Sequence, residues 1–375
     1  MSLIDYDFNG ATKYHHGKFP PDNLDYEALA APLARAAAAI ARYDAVMQSL
    51  HNSELLLGPL RKREAVISSR MEGTVATLDE ILEFEADEEG DQDFAKYRNE
   101  IIEVISYSRA LSVAQQLISD GLPISSRLIK KAHKTLLAFG RGANLQPGEF
   151  KTDQNYVVDK NRKKVLFIPA DPQSFDSLFH TLEIYINDPK NEPLLMVTMA
   201  HVEFESLHPF KDGNGRLGRM LITLMLWTRG LISAPHFYVS GQFEKSKDEY
   251  IDRMRAVSQS NDWTGWSVFF LNAITAQAHE NLETANKIRS LYDEMKLSFQ
   301  KTLTSQYSIA ALDYMFSKPI FRNNSFIADG RIPKQSAHRI TSLLCEQKLL
   351  TVVKPGAGRR STLYAFEPLL KIVRT

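Results

Sequence analysis

Cysteine is almost missing from this chain: Cys345 is the only one in 375 residues. No disulfide can form within the chain, and such cysteine usage suits a reducing compartment, so a cytoplasmic location is expected. Net charge is also missing, because 45 Lys and Arg are matched by 45 Asp and Glu. No overall field draws the protein to nucleic acid or to a membrane surface, and any such binding must come from a local patch. No run of about 18 uncharged apolar residues occurs, so no membrane span is expected. The opening Met-Ser-Leu-Ile-Asp-Tyr-Asp has neither the basic nor the apolar region of a signal peptide. What is present is core-forming material. Hydrophobic residues make up 44%, enough for a sizeable interior, and the length suggests two or three domains.

The first two dozen residues, rich in Pro, Asp, Tyr and His, read as an arm. The alanine-rich stretch from Ala28 to Arg42 predicts a helix. Helical periodicity continues over about Leu55–Phe84, then Phe94–Ser119 and Ser125–Leu137, with the acidic piece Glu85–Asp93 as a solvated linker or loop. Tyr156-Val-Val and Val165–Ile168 are short β-type runs, and the turn material Asp159–Lys164 between them predicts a hairpin. Helices are expected again over Gln173–Asn187, Pro193–Leu207, Gly215–Arg229, Lys245–Ser258 and Trp263–Gln300. Trp263, Trp266 and Phe269 are read as core residues. After Gln306, two helical segments precede two apolar strands flanking a Gly/Arg turn, the pattern of a winged helix-turn-helix.

The segment from His208 to Arg219, His-Pro-Phe-Lys-Asp-Gly-Asn-Gly-Arg-Leu-Gly-Arg, has the densest chemistry. Gly213, Asn214 and Gly215 allow a backbone concavity of inward N–H groups, and the helix start behind them adds positive dipole; together these bind phosphate. Arg216 and Arg219 add fork-shaped donors one turn apart. Asp212 can hold Mg²⁺, which favours carboxylate, phosphate and water. His208, with an unperturbed pKa near 6.5, is the natural general base. No Lys-Ser or Lys-Thr follows the glycines, so this is not a Walker motif. His201, Glu205 and His208 also have a spacing that could hold zinc; Pro209 ends the helix at His208, and His201 is read instead as a core or supporting residue.

This segment matches, without departure, the signature of the Fic (filamentation induced by cAMP) family, and Ala200–Leu207 resembles the family's preceding helix. The resemblance covers about residues 60–280. It implies a Fic-type helical bundle with a β-hairpin flap and transfer of AMP from Mg²⁺·ATP to a Ser, Thr or Tyr hydroxyl of a protein, the chain itself included. In that scheme His208 is the base, and Asp212 holds the metal. Gly213, Asn214, Gly215, Arg216, Leu217, Gly218 and Arg219 bind the nucleotide, and Tyr250 lines its pocket. Ser68-Ser-Arg-Met-Glu72-Gly73 resembles the family's inhibitory motif, which implies that Glu72, with Ser68 and Gly73, restrains the site through Arg219 from an N-terminal helix at about 60–84. Val165, Leu166 and Phe167 resemble the flap edge on which an extended target segment docks. Tyr156-Val-Val-Asp stands where commoner flaps have a Trp and a Gly-rich run, which leaves target choice open. Relatives often form homodimers.

The expected fold is therefore mainly α: an N-terminal helical region over 1–100, a Fic core over 101–300, and a small α+β winged helix over 301–375. In the tail, Lys334, His338, Arg339 and Lys348 lie on or near the second helix, and Lys354, Arg359 and Arg360 lie on the wing. That patch gives a rival reading, a DNA-binding regulator whose core senses nucleotide. A second rival is AMP removal or another transfer on the same loop.

Overall fold

The computed structural model describes residues 6–49, 53–88, 98–159, 161–358 and 360–374. Strand β1 (Thr12–Lys13) precedes α1 (Tyr26–Ser49), the alanine-rich helix. The single helix expected over 55–84 is two helices, α2 (Ser53–Met71) and α3 (Leu78–Glu88). The break has a local cause. Gly73 has φ 88°, its N–H donates to Arg70 O at 2.9 Å, and Thr74 N–H donates to Ser69 O at 3.1 Å. This pair of bonds is a Schellman C-cap, whose left-handed residue favours glycine. Thr77 and Glu80 then form a capping box for α3: Thr77 N–H donates to Glu80 Oε2 at 2.8 Å, and Glu80 N–H to Thr77 Oγ1 at 3.2 Å. The expected acidic loop is helical through Glu88; its remainder, with Lys160 and Arg359, lies outside the described residues.

Next come α4 (Asn99–Ser119), α5 (Ser126–Leu136), β2 (Val157–Asp159) and β3 (Lys164–Ile168). They are followed by α6 (Phe175–Asn187), α7 (Pro193–Leu207), α8 (Asn214–Thr228), α9 (Ser240–Lys245), α10 (Lys247–Ser260) and α11 (Trp263–Leu303). The tail contains α12 (Ser308–Ser317), β4 (Ile320–Arg322), α13 (Asn323–Ala328), α14 (Lys334–Glu346), β5 (Leu350–Lys354), β6 (Leu363–Phe366) and α15 (Glu367–Val373).

The chain forms two compact units, one of residues 1–42 and 106–279, the other of residues 43–105 and 280–375. In the first, α7 and α8 are buried along almost their whole length, as befits helices that are apolar on nearly every face. Trp263 and Trp266 are fully buried and Phe269 half-buried, so they pack the core as expected. The residues expected as an arm instead join the sheet, whose order is β1-β3-β2. β1 pairs in parallel with β3, while β2 pairs with its other edge antiparallel. Two side chains bolt this N-terminal strand to α7: Tyr14 O–H donates to Glu203 Oε1 at 2.6 Å, and His15 Nε2 lies 2.8 Å from Glu203 Oε2. Glu203 is buried, and a carboxylate in such a place persists only with partners of this kind.

In the second unit the tail is a winged helix, with helices α12, α13 and α14 and an antiparallel sheet in the order β4-β6-β5. Phe316, Phe321, Phe326 and Phe366 fill its core. Helix α3 of the same unit carries acidic partners for it: Arg322 lies 2.5 Å from Asp87, Lys354 2.6 Å from Glu83, and Arg374 2.8 Å from Asp79.

Candidate active site

The site grows from the junction of α7 and α8. Helix α7 stops at His208, whose N–H donates to Phe204 O at 3.0 Å and whose backbone is left-handed at φ 48°, ψ 64°. That conformation costs a non-glycine residue about 1–2 kcal/mol, so the surroundings must impose it. Pro209 cannot continue the helix. The side chain of His208 is half-buried, with Nδ1 3.3 Å from Glu205 O.

Asn214 ties the loop into a closed turn. Its Oδ1 accepts from Phe210 N–H at 2.9 Å, and its Nδ2 donates to Phe210 O at 2.7 Å. Both ends of the amide are thus engaged with the loop, which leaves the backbone of Asn214 for a ligand. Gly213 precedes α8 at φ 79°, a conformation that suits glycine. The start of α8 behind it has the form of an anion cradle.

Asp212 accepts from Gly213 N–H at 2.6 Å. Its carboxylate also lies 3.6 Å from Arg216 and 3.8 Å from Arg141. A quarter of its side chain is exposed, so this one carboxylate can join phosphate and water around a Mg²⁺ ion.

Arg216 and Arg219 are not on a solvated face; both are buried. Two buried guanidiniums at the head of a helix make a strongly anion-seeking site. Gly215 is half-buried, and Leu217 is wholly buried in the core. Gly218 makes room for α7, since a Cβ there would collide with the Glu205 carboxylate.

Three residues that the sequence reading did not single out hold this loop. Lys151 and Asn155, in the segment before β2, and His133, on α5, all bond to its carbonyls. Lys151 Nζ donates to Leu207 O at 2.7 Å and its N–H to Pro209 O at 2.8 Å. Asn155 Nδ2 donates to His208 O at 2.8 Å and to Phe210 O at 3.0 Å. His133 Nε2 lies 2.9 Å from Asp212 O, while its Nδ1 accepts from Gly148 N–H at 2.8 Å, so Nε2 carries the proton. The His133 ring stacks on Phe210 at 3.6 Å. Burial pushes the His133 imidazole down to about 4 and the Lys151 ammonium down to about 7. His133 falls on the buried face of α5 at helical spacing with Leu128, Ile129, Ala132 and Leu136, where it reads as a core position; Lys151 and Asn155 follow no helical or strand period. A Lys and an Asn four apart in an irregular polar segment are the only sequence signal.

Tyr250 is buried among Phe243 and Trp266, and its hydroxyl is 2.8 Å from His201 Nε2. His201 is therefore a core residue, as expected, and burial followed by Arg219 pushes its imidazole down to about 3. Among the described residues no group of three His, Cys, Asp or Glu gathers in a metal-binding arrangement. Ser68, Glu72 and Gly73 belong to the second unit, where Ser68 is buried and Glu72 is exposed at the C-terminus of α2.

On the flap, Val165 and Phe167 point into the core and Leu166 is half-buried. The β3 edge expected to be open is covered by the chain itself: Val165 N–H donates to Asp7 O at 2.9 Å, and Tyr14 N–H to Ile168 O at 3.0 Å. In the tail, Lys354 is paired with Glu83, and Arg339 donates to Leu303 O at 2.7 Å. Lys334, His338 and Lys348 are exposed.

A left-handed histidine at a helix end, a glycine-led helix start and two buried arginines meet at one junction of a helical domain. Comparison with known proteins gives the family. A model described as Fic/DOC family N-terminal matches residues 30–116, and one described as Fic/DOC family matches residues 123–226. A probable protein adenylyltransferase from Aquifex aeolicus is 27% identical over 208 residues, covering 55% of this chain and 58% of that protein. A protein adenylyltransferase Fic from Drosophila melanogaster is 27% identical over 131 residues, 34% of this chain and 25% of that protein. The chain thus spans little more than half of the first relative and a quarter of the second. Among solved structures, a Fic family protein from Desulfovibrio desulfuricans superposes with a TM-score of 0.58 at 19% identity, covering 90% of this chain and 95% of that one. The chain belongs to the Fic/DOC family, and its fold is the Fic fold.

Proposed function

We propose that the chain is a protein adenylyltransferase that moves AMP from ATP to a protein hydroxyl, restrained by Glu72. The observation that carries the reading is the junction of His208 with the Gly213–Arg219 cradle. The relatives named as adenylyltransferases support the α-phosphate as the point of attack. His208 takes the proton of the incoming Ser, Thr or Tyr hydroxyl. The hydroxyl oxygen forms a bond to the α-phosphorus, the bond to the β-phosphate bridge breaks, and pyrophosphate leaves. Backbone N–H groups at Gly213–Gly215 hold the phosphates, and Arg216 and Arg219 meet the charge on the outer ones. Asp212 would hold Mg²⁺, which when bound neutralises phosphate charge. The substrate is a protein with an acceptor hydroxyl, the chain itself included. With β1 on the inner edge of β3, an extended target segment would pair along the outer edge of β2.

Glu72 fits a restraining role on electrostatic grounds. It is a carboxylate at the C-terminus of α2, where the helix dipole repels negative charge. A positively charged partner such as Arg219 relieves that repulsion and takes up the cation that the terminal phosphate of ATP would use.

The test is intact mass after incubation with Mg·ATP. The Glu72→Gly protein should gain one AMP moiety or pass it to a supplied protein, at least about 100-fold faster than wild type. His208→Ala in that background should lose about 1000-fold or more. A mass gain of one phosphate overturns AMP transfer, and equal rates for wild type and Glu72→Gly overturn the restraint.

A further inference from the structure

We infer that Lys151 and Asn155 are positioning residues that set the orientation of His208 by gripping the backbone on both sides of it. The inference rests on the adenylyltransfer reading for what His208 does, and on the geometry alone for how it is held.

Leu207, His208, Pro209 and Phe210 each have their carbonyl bonded by one of these two residues, at 2.7, 2.8, 2.8 and 3.0 Å. One residue uses its ammonium and its own N–H; the other uses its amide nitrogen twice. The pair is also fixed internally. Lys151 Nζ donates to Asn155 Oδ1 at 3.0 Å, which forces Nδ2 of the same amide toward the loop. Lys151 is buried, so water cannot take over its bonds without opening the fold. A left-handed histidine has no intrinsic reason to stay in that conformation. The peptide planes before and after it determine where the imidazole points: the first is held at its N–H by Phe204 O and at its carbonyl by Lys151, the second at its carbonyl by Asn155. Neither residue needs to touch a substrate. Their effect passes through the His208 backbone, and a displacement of about 1 Å at a reacting group costs on the order of 100-fold.

The Fic-type loop residues alone do not complete this grip. Asn214 reaches only Phe210, beyond the histidine. His133 bonds Asp212 O and stacks on the Phe210 ring, both beyond the histidine. The carbonyls of Leu207, His208 and Pro209 are bonded by residues 151 and 155.

The experiment uses the full chain in the Glu72→Gly background, with Lys151→Met and Asn155→Leu as variants. Each should lower kcat about 100-fold, while KM for ATP stays within about 3-fold, because the phosphate cradle begins beyond the gripped carbonyls. Combining either with His208→Ala should add less than about 3-fold to the loss from His208→Ala alone, since the grip acts through that residue. Full additivity, or a kcat within about 3-fold of the parent, overturns the inference. A crystal structure of the Lys151→Met protein supplies a readout independent of activity: His208 should leave the left-handed region. If His208 keeps its conformation there, the grip is not what sets it. A Glu72→Gly parent that transfers nothing overturns the functional reading instead, and the backbone of His208 in that crystal then decides the grip on its own.

Discussion

The two units are held by different physics. In the first, the decisive polar contacts are buried: Glu203 between Tyr14 and His15, and the loop carbonyls under Lys151, Asn155 and His133. In the second, two of the pairs between α3 and the tail are partly open to water, Lys354 with Glu83 and Arg374 with Asp79, the latter with side chains 35% and 38% exposed, while Arg322 with Asp87 is largely covered. Buried hydrogen bonds are costly to break singly, because the abandoned partner stays buried. Exposed pairs each contribute little and are screened by salt. The contacts around the α7–α8 loop are therefore costly to break singly, and the Arg374–Asp79 contact is not.

The sharpest way to break this contrast is at Glu203. Tyr14→Phe combined with His15→Ala removes both side-chain partners of a carboxylate that is only 1% exposed. The expected loss is about 3–5 kcal/mol of unfolding free energy, measured by urea denaturation. A loss below about 1 kcal/mol would mean that Glu203 is not held by the N-terminal strand.

What could be read in the sequence follows the same division. His208, Asp212 and the glycines stand out in the sequence because a histidine, a carboxylate, two arginines and three glycines fall within a dozen positions. The longer helices were legible by period, apart from the break after Met71, which depends on the conformation of one glycine; the short helices α9 and α15 were not. The residues that support the loop were not legible. Lys151, Asn155 and His133 act through main-chain carbonyls, and a carbonyl leaves no mark on composition or period. The covering of β3 by residues 7–14 was missed for a similar reason: β1 has two residues, and parallel pairing across some 150 residues of chain has no local signature. The burial of Arg216 and Arg219 was hidden because a helical wheel shows which face a residue shares but not what covers that face.

A second, smaller effect makes the first unit sensitive to pH. Burial lowers the His133 imidazole from 6.5 to about 4. Between those values the unfolded chain binds a proton that the native chain does not, so stability rises with pH across about 4 to 6.5 and is lost as pH falls through that window. The size is on the order of 3 kcal/mol. His133→Gln removes this contribution, so unfolding free energy plotted against pH should have a shallower acid limb than wild type. Identical slopes for the two proteins would show that His133 takes up its proton in the native state without cost.

The smallest expected effect is in the second unit. Arg374 donates to both oxygens of Asp79, at 2.9 and 2.8 Å, and to Glu367 at 2.9 Å. Two-pronged geometry of this kind is the strongest form of an exposed pair, yet solvent still limits it. A double-mutant cycle of Arg374→Ala and Asp79→Ala should give a coupling of at most about 1 kcal/mol. That coupling should shrink in 1 M NaCl, where the screening length is about 3 Å. A coupling above about 2 kcal/mol that ignores salt would place this contact in the same class as Glu203 and end the contrast. A small, salt-sensitive coupling has a consequence for Glu72. Helix α3 follows the Gly73 cap after only a short turn, so contacts that hold α3 also constrain where the Glu72 carboxylate sits. If each is worth about 1 kcal/mol or less, a partner with modest binding free energy can exchange several of them.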